Sequence, residues 1–297
     1  MHTLIYKPIL SSGWPDYELI DSGKMRKLER FGSRILDRFE PDATWTPSLD
    51  ERVWQSAHNK YIPNQSQNAG HWLAEIIGQE DWMINLDSIH VVLNLSRSRH
   101  IGIFPEQLDN WRWLQTKITG SNRPVRILNL FAYSGVASLY CALAGAEITH
   151  VDASRSAIEL AKKSQLSSNL GSTPIRWIID DVIRFTEREI RRGHQYEGII
   201  LDPPLFGRGP KGEIWKFDDD IDRLLSLLGN LLSDRFLFFL LTAYNVDMEQ
   251  QDIAEISARI LPEGGSAIEY GPLIQIEKSA GRKLEQALYV RWSSERE

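Results

Sequence analysis

From Arg126 to the end of the chain, short apolar runs alternate with amphipathic ones, and this alternation limits the fold more than any other feature. "RILNL" (126–130), "EITHVD" (147–152), "IRWIID" (175–180), "EGIILD" (197–202) and "RFLFFLLTA" (235–243) have the length and apolar content of strands buried on both faces. Between them, "VASLYCALAGA", "SRSAIELAKKSQLSSNL", "DVIRFTEREIRR" and "DDDIDRLLSLLGNLL" carry helical spacing, with Gly145 closing the first and Ser154 capping the second. A further helical stretch, "DMEQQDIAEISARIL", precedes two strands with no helix between them, "SAIEYGPLIQIE" and "EQALYVRW". Alternating strands and helices imply a parallel sheet covered on both faces by right-handed crossovers. The closing strand pair implies an antiparallel final strand.

Residues 1–96 differ in texture, being rich in Trp, Pro and Asn with little regular alternation. They are expected to form a small N-terminal α+β or all-β extension, and 97–297 the main domain, with "TGSNRP" (119–124) as the connection into the alternating region. "IPNQSQNAG" (62–70) reads as a polar loop and "VVLNLS" (91–96) as a strand. Trp14, Trp45, Trp54, Trp72 and Trp82 suit burial in a small core, with base stacking as the competing role. No run approaches eighteen apolar residues, and the N-terminus lacks a secretory pattern, so a cytoplasmic protein with no membrane partner is expected. The net charge of −6 gives no global basic excess, so nucleic-acid binding would rest on local patches. "KMRKLERFGSRILDR" (24–38) is one candidate, and a solvated helix face is its plainer reading. Oligomeric state is not legible.

Open α/β sheets bind ligands beyond the carboxyl ends of their strands. "NLFAYSGVAS" follows the first strand, where Gly135 would let the backbone approach a ligand closely. No G-x-G-x-x-G is present, which disfavours a pyrophosphate cradle. Asp152 ends the second strand, placed to bridge the hydroxyls of a ribose. Asp180 and Asp181 end the third, suited to accept a hydrogen bond from an adenine amino group. Each acid could instead cap the next helix, but three acids and a glycine loop at successive strand ends exceed what capping requires. Adenine and ribose without pyrophosphate fit S-adenosylmethionine. A dinucleotide-binding domain needs no terminal hairpin, whereas class I methyltransferase sheets have one. The expected fold is therefore a Rossmann-like, seven-stranded, mostly parallel sheet with an antiparallel terminal strand. The seven His residues show no metal-ligand spacing, and no metal site is expected; His100 and His150 read as structural.

"LNLFAYSGVAS", "VDASRSAIELAKKSQ", "IDDVIRF" and "ILDPPLFGRGPKGEIWK" together resemble motifs I to IV of the large-subunit ribosomal RNA methyltransferase-like class I family. "HIGIFPEQLDNWRWL" (100–114) is similar to the segment that precedes motif I there. "LIDSGKMRKLERFG" resembles the N-terminal extension of a shorter branch without the RNA-binding PUA domain. The resemblance covers residues 97–297. It implies cofactor contacts from Phe131, Ala132, Gly135, Asp152, Ala153, Asp181 and Val182, and from Phe104 and Gln107. Asp202 would stand between cofactor and substrate. Ser164 departs from the Asn that many members carry.

Relatives that methylate C5 of cytosine use a cysteine after the fifth strand, because that carbon is a poor nucleophile without covalent activation. Here the place reads "LLTAYNVD", and the single cysteine, Cys141, lies in a helix as a small buried hydrophobe. "DPP" suits an exocyclic amine, which would donate to the Asp202 carboxylate and the Pro203 carbonyl, with Pro203 and Pro204 stiffening the backbone. A ring nitrogen also fits, and a plain turn is the structural alternative. Leu205 occupies the place of the stacking aromatic and Phe206 comes one later, where stacking on a base would contribute about 1–3 kcal/mol. Arg208, Lys211 and Lys216 stand on a Gly/Pro frame suited to phosphate contact or to a plain surface loop. The expected activity is methyl transfer to a nitrogen of RNA, ribosomal RNA above all, with no covalent cysteine intermediate. A protein or small-metabolite methyltransferase and a non-catalytic cofactor-binding protein are the alternatives.

Overall fold

The computed structural model describes residues 2–65, 69–74, 81–96 and 98–294. Two short strands, β1 (Leu4–Tyr6) and β2 (Ile9–Ser11), open the chain. A five-stranded sheet follows from β3 (Tyr17–Gly23), β4 (Arg26–Phe31) and β5 (Arg34–Phe39), then, past the short helix α1 (Glu51–Trp54), β6 (Asn59–Pro63) and β7 (Gly70–Ala74). All its pairings are antiparallel except β5 with β6. A separate hairpin joins β8 (Trp82–Leu86) to β9 (Ile89–Leu93).

Residues 24–38 are neither a helix nor a basic patch, which corrects both readings of that stretch. Gly32, at φ 62°, turns β4 back onto β5 and interrupts any helical spacing. Lys27, Arg34 and Arg38 are buried. Arg38 Nε donates to Glu29 Oε2 at 2.6 Å, Lys27 Nζ pairs with Glu40 at 2.9 Å, and Arg26 pairs with Asp37. Residues 62–70 also differ from a free loop, since Ile62 and Pro63 end β6 and Gly70 begins β7. Ser66–Asn68 lie outside the described residues, as does Arg97 at the expected boundary.

The alternation after Arg126 gives the elements expected of it. Helix α2 (Leu108–Gly120) leads into β10 (Arg126–Leu130), α3 (Val136–Leu143), β11 (Glu147–Asp152), α4 (Arg155–Ser167), β12 (Ile175–Ile179), α5 (Val182–Arg191) and β13 (Gly198–Leu201). A small hairpin, β14 (Phe206–Arg208) with β15 (Ile214–Lys216), comes next. Then follow α6 (Phe217–Gly229), β16 (Phe238–Ala243), α7 (Gln250–Ala258), β17 (Ile268–Ile276) and β18 (Lys283–Ser293). Ser154 caps α4 by accepting from the Ala157 N–H at 3.2 Å.

The large sheet runs β12-β11-β10-β13-β16-β18-β17. It is parallel from β12 to β16, and β18 is antiparallel to both neighbours. These are the seven expected strands. Two more, β1 and β2, lie parallel to β17 at the edge, so the sheet has nine strands and takes its outermost pair from residues 4–11. The strand order reverses between β10 and β13, which places the ligand crevice at their carboxyl ends.

The small sheet is tied to the large one in two ways. Trp14, Phe31, Leu36 and Ile84 share one apolar cluster with Trp111, Leu139 and Tyr140 of α2 and α3. Each such side chain contributes about 1.5–3 kcal/mol by leaving water. At the turn between β17 and β18, the Lys278 and Ser279 N–H groups donate to the carbonyls of Leu19 and Ile20 at 2.9 and 3.1 Å. Arg282 there donates to Glu277 at 2.5 Å and to the fully buried Asp21 at 3.2 Å.

Candidate active site

A cavity of about 570 Å³ opens where these elements meet. Phe131, Asp152, Asp181, Asp202 and Tyr244 reach it from the carboxyl ends of β10, β11, β12, β13 and β16. The facing wall comes from β4 and β5 of the small sheet, through Lys27, Arg38 and Phe39, and from Gln286 of β18. Phe104, Ala153, Val182, Pro204, Phe206 and Arg208 also line it. Gln107, Ala132 and Gly135 line a smaller adjoining cleft that shares Phe104 and Asp202 with the first. With Asp180 and Leu205, twelve of the site candidates singled out from the sequence therefore meet in one cavity and three more in its annex. Pro203 is buried, while Lys211 and Lys216 are exposed beyond the described walls, Lys216 pairing with Asp219 at 3.2 Å.

The loop after β10 is conformationally strained. Phe131 and Tyr133 adopt φ 55° and 47°, in the left-handed region that non-glycine residues rarely occupy. The Asp152 carboxylate helps hold them there, accepting from the Tyr133 N–H at 2.8 Å and, through its other oxygen, from the Ser154 N–H at 2.7 Å. Each oxygen keeps a lone pair for a further donor. Burial pushes the Asp152 carboxyl up, against the opposing pull of these two N–H groups. Gly135 is required by packing: at φ 78° it starts α3, and a Cβ would stand 2.9 Å from Ala161 Cβ.

The acidic pair after the third strand, Asp180 and Asp181, divides its work. Asp181 Oδ1 caps α5 by accepting from the Arg184 N–H at 2.9 Å, and the residue still lines the cavity. Asp180 is ion-paired with Arg188. Thus the capping reading and the wall position both hold for Asp181.

Asp202 is a strongly perturbed carboxyl on the wall. Burial pushes it up to about 7, Thr242 opposes by donating to Oδ1 at 2.6 Å, and the Glu106 and Asp152 charges add to the rise. The Pro204 carbonyl accepts from Trp215 Nε1 at 2.8 Å, and Trp215 packs on Phe131 with ring centroids 4.7 Å apart. "GRGPKGEIWK" is thereby a braced hairpin rather than a loose loop. Phe206 remains 51% exposed with the Arg208 guanidinium 5.8 Å above its ring, which leaves a face open at the cavity mouth.

Sequence reasoning missed several wall residues. Tyr133, His100 and Tyr244 pack around Phe104, at centroid distances of 5.7, 5.1 and 5.1 Å. Burial, with Arg99 and Arg38 nearby, lowers His100 to about 3, so it is neutral. His150 is lowered to about 3 by burial and sits inside the fold against Ser138 at 3.0 Å, in keeping with a structural role. Glu106, 3% exposed, also faces the cavity. Among the described residues no cluster of metal-ligating side chains occurs. No described helix is long and apolar enough to cross a membrane.

A cavity at the switch point of such a sheet, with strand-end acids and an antiparallel terminal hairpin, defines a class I methyltransferase domain. The sequence model of the S-adenosylmethionine-dependent methyltransferase family matches residues 22–252, and the chain belongs to that family, with S-adenosylmethionine as its cofactor. It is similar to a solved S-adenosylmethionine-dependent methyltransferase from Agrobacterium tumefaciens, at 38% identity and a TM-score of 0.92 over 98% of this chain and 96% of that one. It is also similar to the ribosomal RNA large subunit methyltransferase K of Neisseria meningitidis serogroup B, at 27% identity over 82% of this chain and 68% of the relative. The ribosomal RNA large subunit methyltransferase I of Tolumonas auensis is 32% identical over 40% of this chain. The chain spans only 30% of the length of that relative.

Proposed function

We propose that this chain methylates a nitrogen atom of RNA, with ribosomal RNA as the favoured substrate, by direct in-line transfer. The cofactor supplies a methyl group on a sulfonium, so the acceptor lone pair forms the new bond to carbon as the carbon–sulfur bond breaks and its electron pair stays on sulfur. Asp152 and Asp181, with Phe131, Ala132, Ala153, Val182, Phe104 and Gln107, are the residues suited to hold that cofactor. Asp202 orients the acceptor and takes up its surplus proton, which suits a carboxyl poised at about 7.

The observation that carries this reading is a half-buried carboxylate, Asp202, at the cavity with no cysteine beside it. Cys141, the only cysteine, is fully buried in α3, and burial pushes its thiol far up. The covalent route to a ring carbon therefore has no nucleophile in the chain. The ribosomal RNA substrates named for the relatives support RNA, and Phe206 with Arg208 offers a base-stacking face and a phosphate contact. A protein or small-metabolite acceptor is the second reading, favoured by the pairing of Lys27 and Arg38 with carboxylates inside the wall.

Incubation with methyl-labelled cofactor and separated RNA, protein and small-molecule fractions tests the proposal. Label is expected in RNA, and its confinement to the other fractions would overturn that substrate. Asp202→Ala should reduce the rate by about 10²–10³-fold, whereas an unchanged rate would remove Asp202 from the mechanism.

A further inference from the structure

A primary amine carries two N–H bonds, and Asp202 meets only one of them. The Pro204 carbonyl is partly engaged, accepting from Trp215 Nε1 at 2.8 Å. Another acceptor stands on the cavity wall. Glu106, in the 3-10 turn Pro105–Gln107, is 3% exposed but lines the cavity with Asp202 and Tyr244. Its hydrogen bond from Gln275 Nε2 is long, at 3.4 Å. Tyr244, just past β16, has its hydroxyl fixed by Gln107 Nε2 at 3.0 Å and directed toward the Glu106 carboxyl. The Glu106 carboxyl also accepts from its own N–H and from the Tyr244 hydroxyl, and of the roughly four acceptor sites on its two oxygens one is left for a ligand N–H.

We infer that Glu106, steadied by Tyr244, is the second hydrogen-bond acceptor of the methyl-acceptor pocket, and that the pocket takes a primary amine rather than a ring nitrogen, a hydroxyl or a carbon. This rests on the nitrogen reading above. One N–H points to Asp202 and the other to Glu106, which fixes the nitrogen lone pair between them. After the new nitrogen–carbon bond forms, the nitrogen carries one proton too many, and that proton passes to the Asp202 carboxylate. The product amine keeps a single N–H. It can no longer satisfy both carboxyls, so transfer stops after one methyl group.

The test is the chemical position of the label, read by hydrolysis and mass spectrometry of whichever fraction takes it. A monomethylated primary amine is expected. Label on a ring nitrogen, oxygen or carbon of RNA would overturn this inference while leaving RNA as the substrate. Label on a primary amine of protein would overturn RNA and keep the inference. No label in any fraction would overturn both, and a dimethylated product would overturn the inference alone. Glu106→Ala should lower kcat/KM about ten- to hundredfold, with Glu106→Gln recovering part of it and S-adenosylhomocysteine affinity held within about twofold. Tyr244→Phe, which preserves the ring packing, should show a smaller loss of the same kind. Wild-type kcat/KM in both Glu106→Ala and Tyr244→Phe would overturn the assignment.

Discussion

Asp202 links ionisation to activity and stability through one carboxyl. Thr242 is its direct donor, and Glu106, Asp152 and Tyr244 face the same space. Because the folded value lies near 7, the carboxylate that accepts the amine proton is lost as pH falls through that value. Methyl transfer should therefore decline about tenfold per unit well below pH 7, and a flat profile between pH 5 and 8 would contradict the role. The stability sign is opposite. A folded value above the unfolded one means that the native state binds the extra proton, so Asp202 weakens the fold progressively from about pH 4 to about pH 7. Asp202→Asn should accordingly gain in relative Tm from pH 5 to pH 8, each 1 kcal/mol moving Tm by about 2–4 °C. Gly135→Ala works through sterics alone. Its Cβ would meet Ala161 at 2.9 Å in a left-handed conformation, for a loss of about 1–3 kcal/mol measured by urea unfolding.

Among the elements, the large-sheet strands β10 to β13 and β16 to β18 were legible because they are apolar runs bounded by helical ones, whereas the exposed hairpin β14–β15 read as a loop. Asp152, Asp181 and Asp202 were legible because each ends such a run. The hairpin β4–β5 was not. Its sequence interleaves Lys27, Glu29, Asp37 and Arg38, whose burial is offset by ion pairs with Glu40, Arg38, Arg26 and Glu29 respectively, while Arg34 lies over the Trp82 ring. Pairing is a property of register, and register does not show in a linear charge count. Tyr133, Glu106 and Tyr244 were missed for a similar reason, since each reaches the cavity from a turn whose course the flanking elements decide. The β17–β18 turn is the element whose polar contacts matter most. Burial alone would raise Asp21, but donors from Ser279, Leu49, Ser48 and Trp54 bring it below its ordinary value. Arg282→Ala leaves Asp21 and Glu277 buried with one donor group fewer. It should cost about 3–5 kcal/mol, and a change under 1 kcal/mol in chemical denaturation would show that this clamp carries no weight.

For the molecule as a whole, the division at residue 96 proposed from texture separates regions that share a core and a cavity. Trp14 and Phe31 pack with Trp111 and Tyr140, and Lys27 and Arg38 form a cavity wall opposite the strand ends. The family match from residue 22 to 252 also runs across it. The full chain should unfold in one calorimetric transition, with the small sheet melting together with the large one. Two resolved transitions would mean that the small sheet is an independent domain.

The edge strand β1 pairs Leu4 with Ile268, and β3 docks onto the turn that follows β17. Synthesis runs from the first of these residues to the last. The opening strands cannot pair until residues 268–276 have been made, nor can β3 gain its contacts with the β17–β18 turn, and loops of such length close slowly. Until then β1, with Ile5 and Tyr6, is an unpaired apolar edge on a nascent chain. The contact that completes the sheet therefore makes the first strands of the chain wait on residues 268–276 before they can pair.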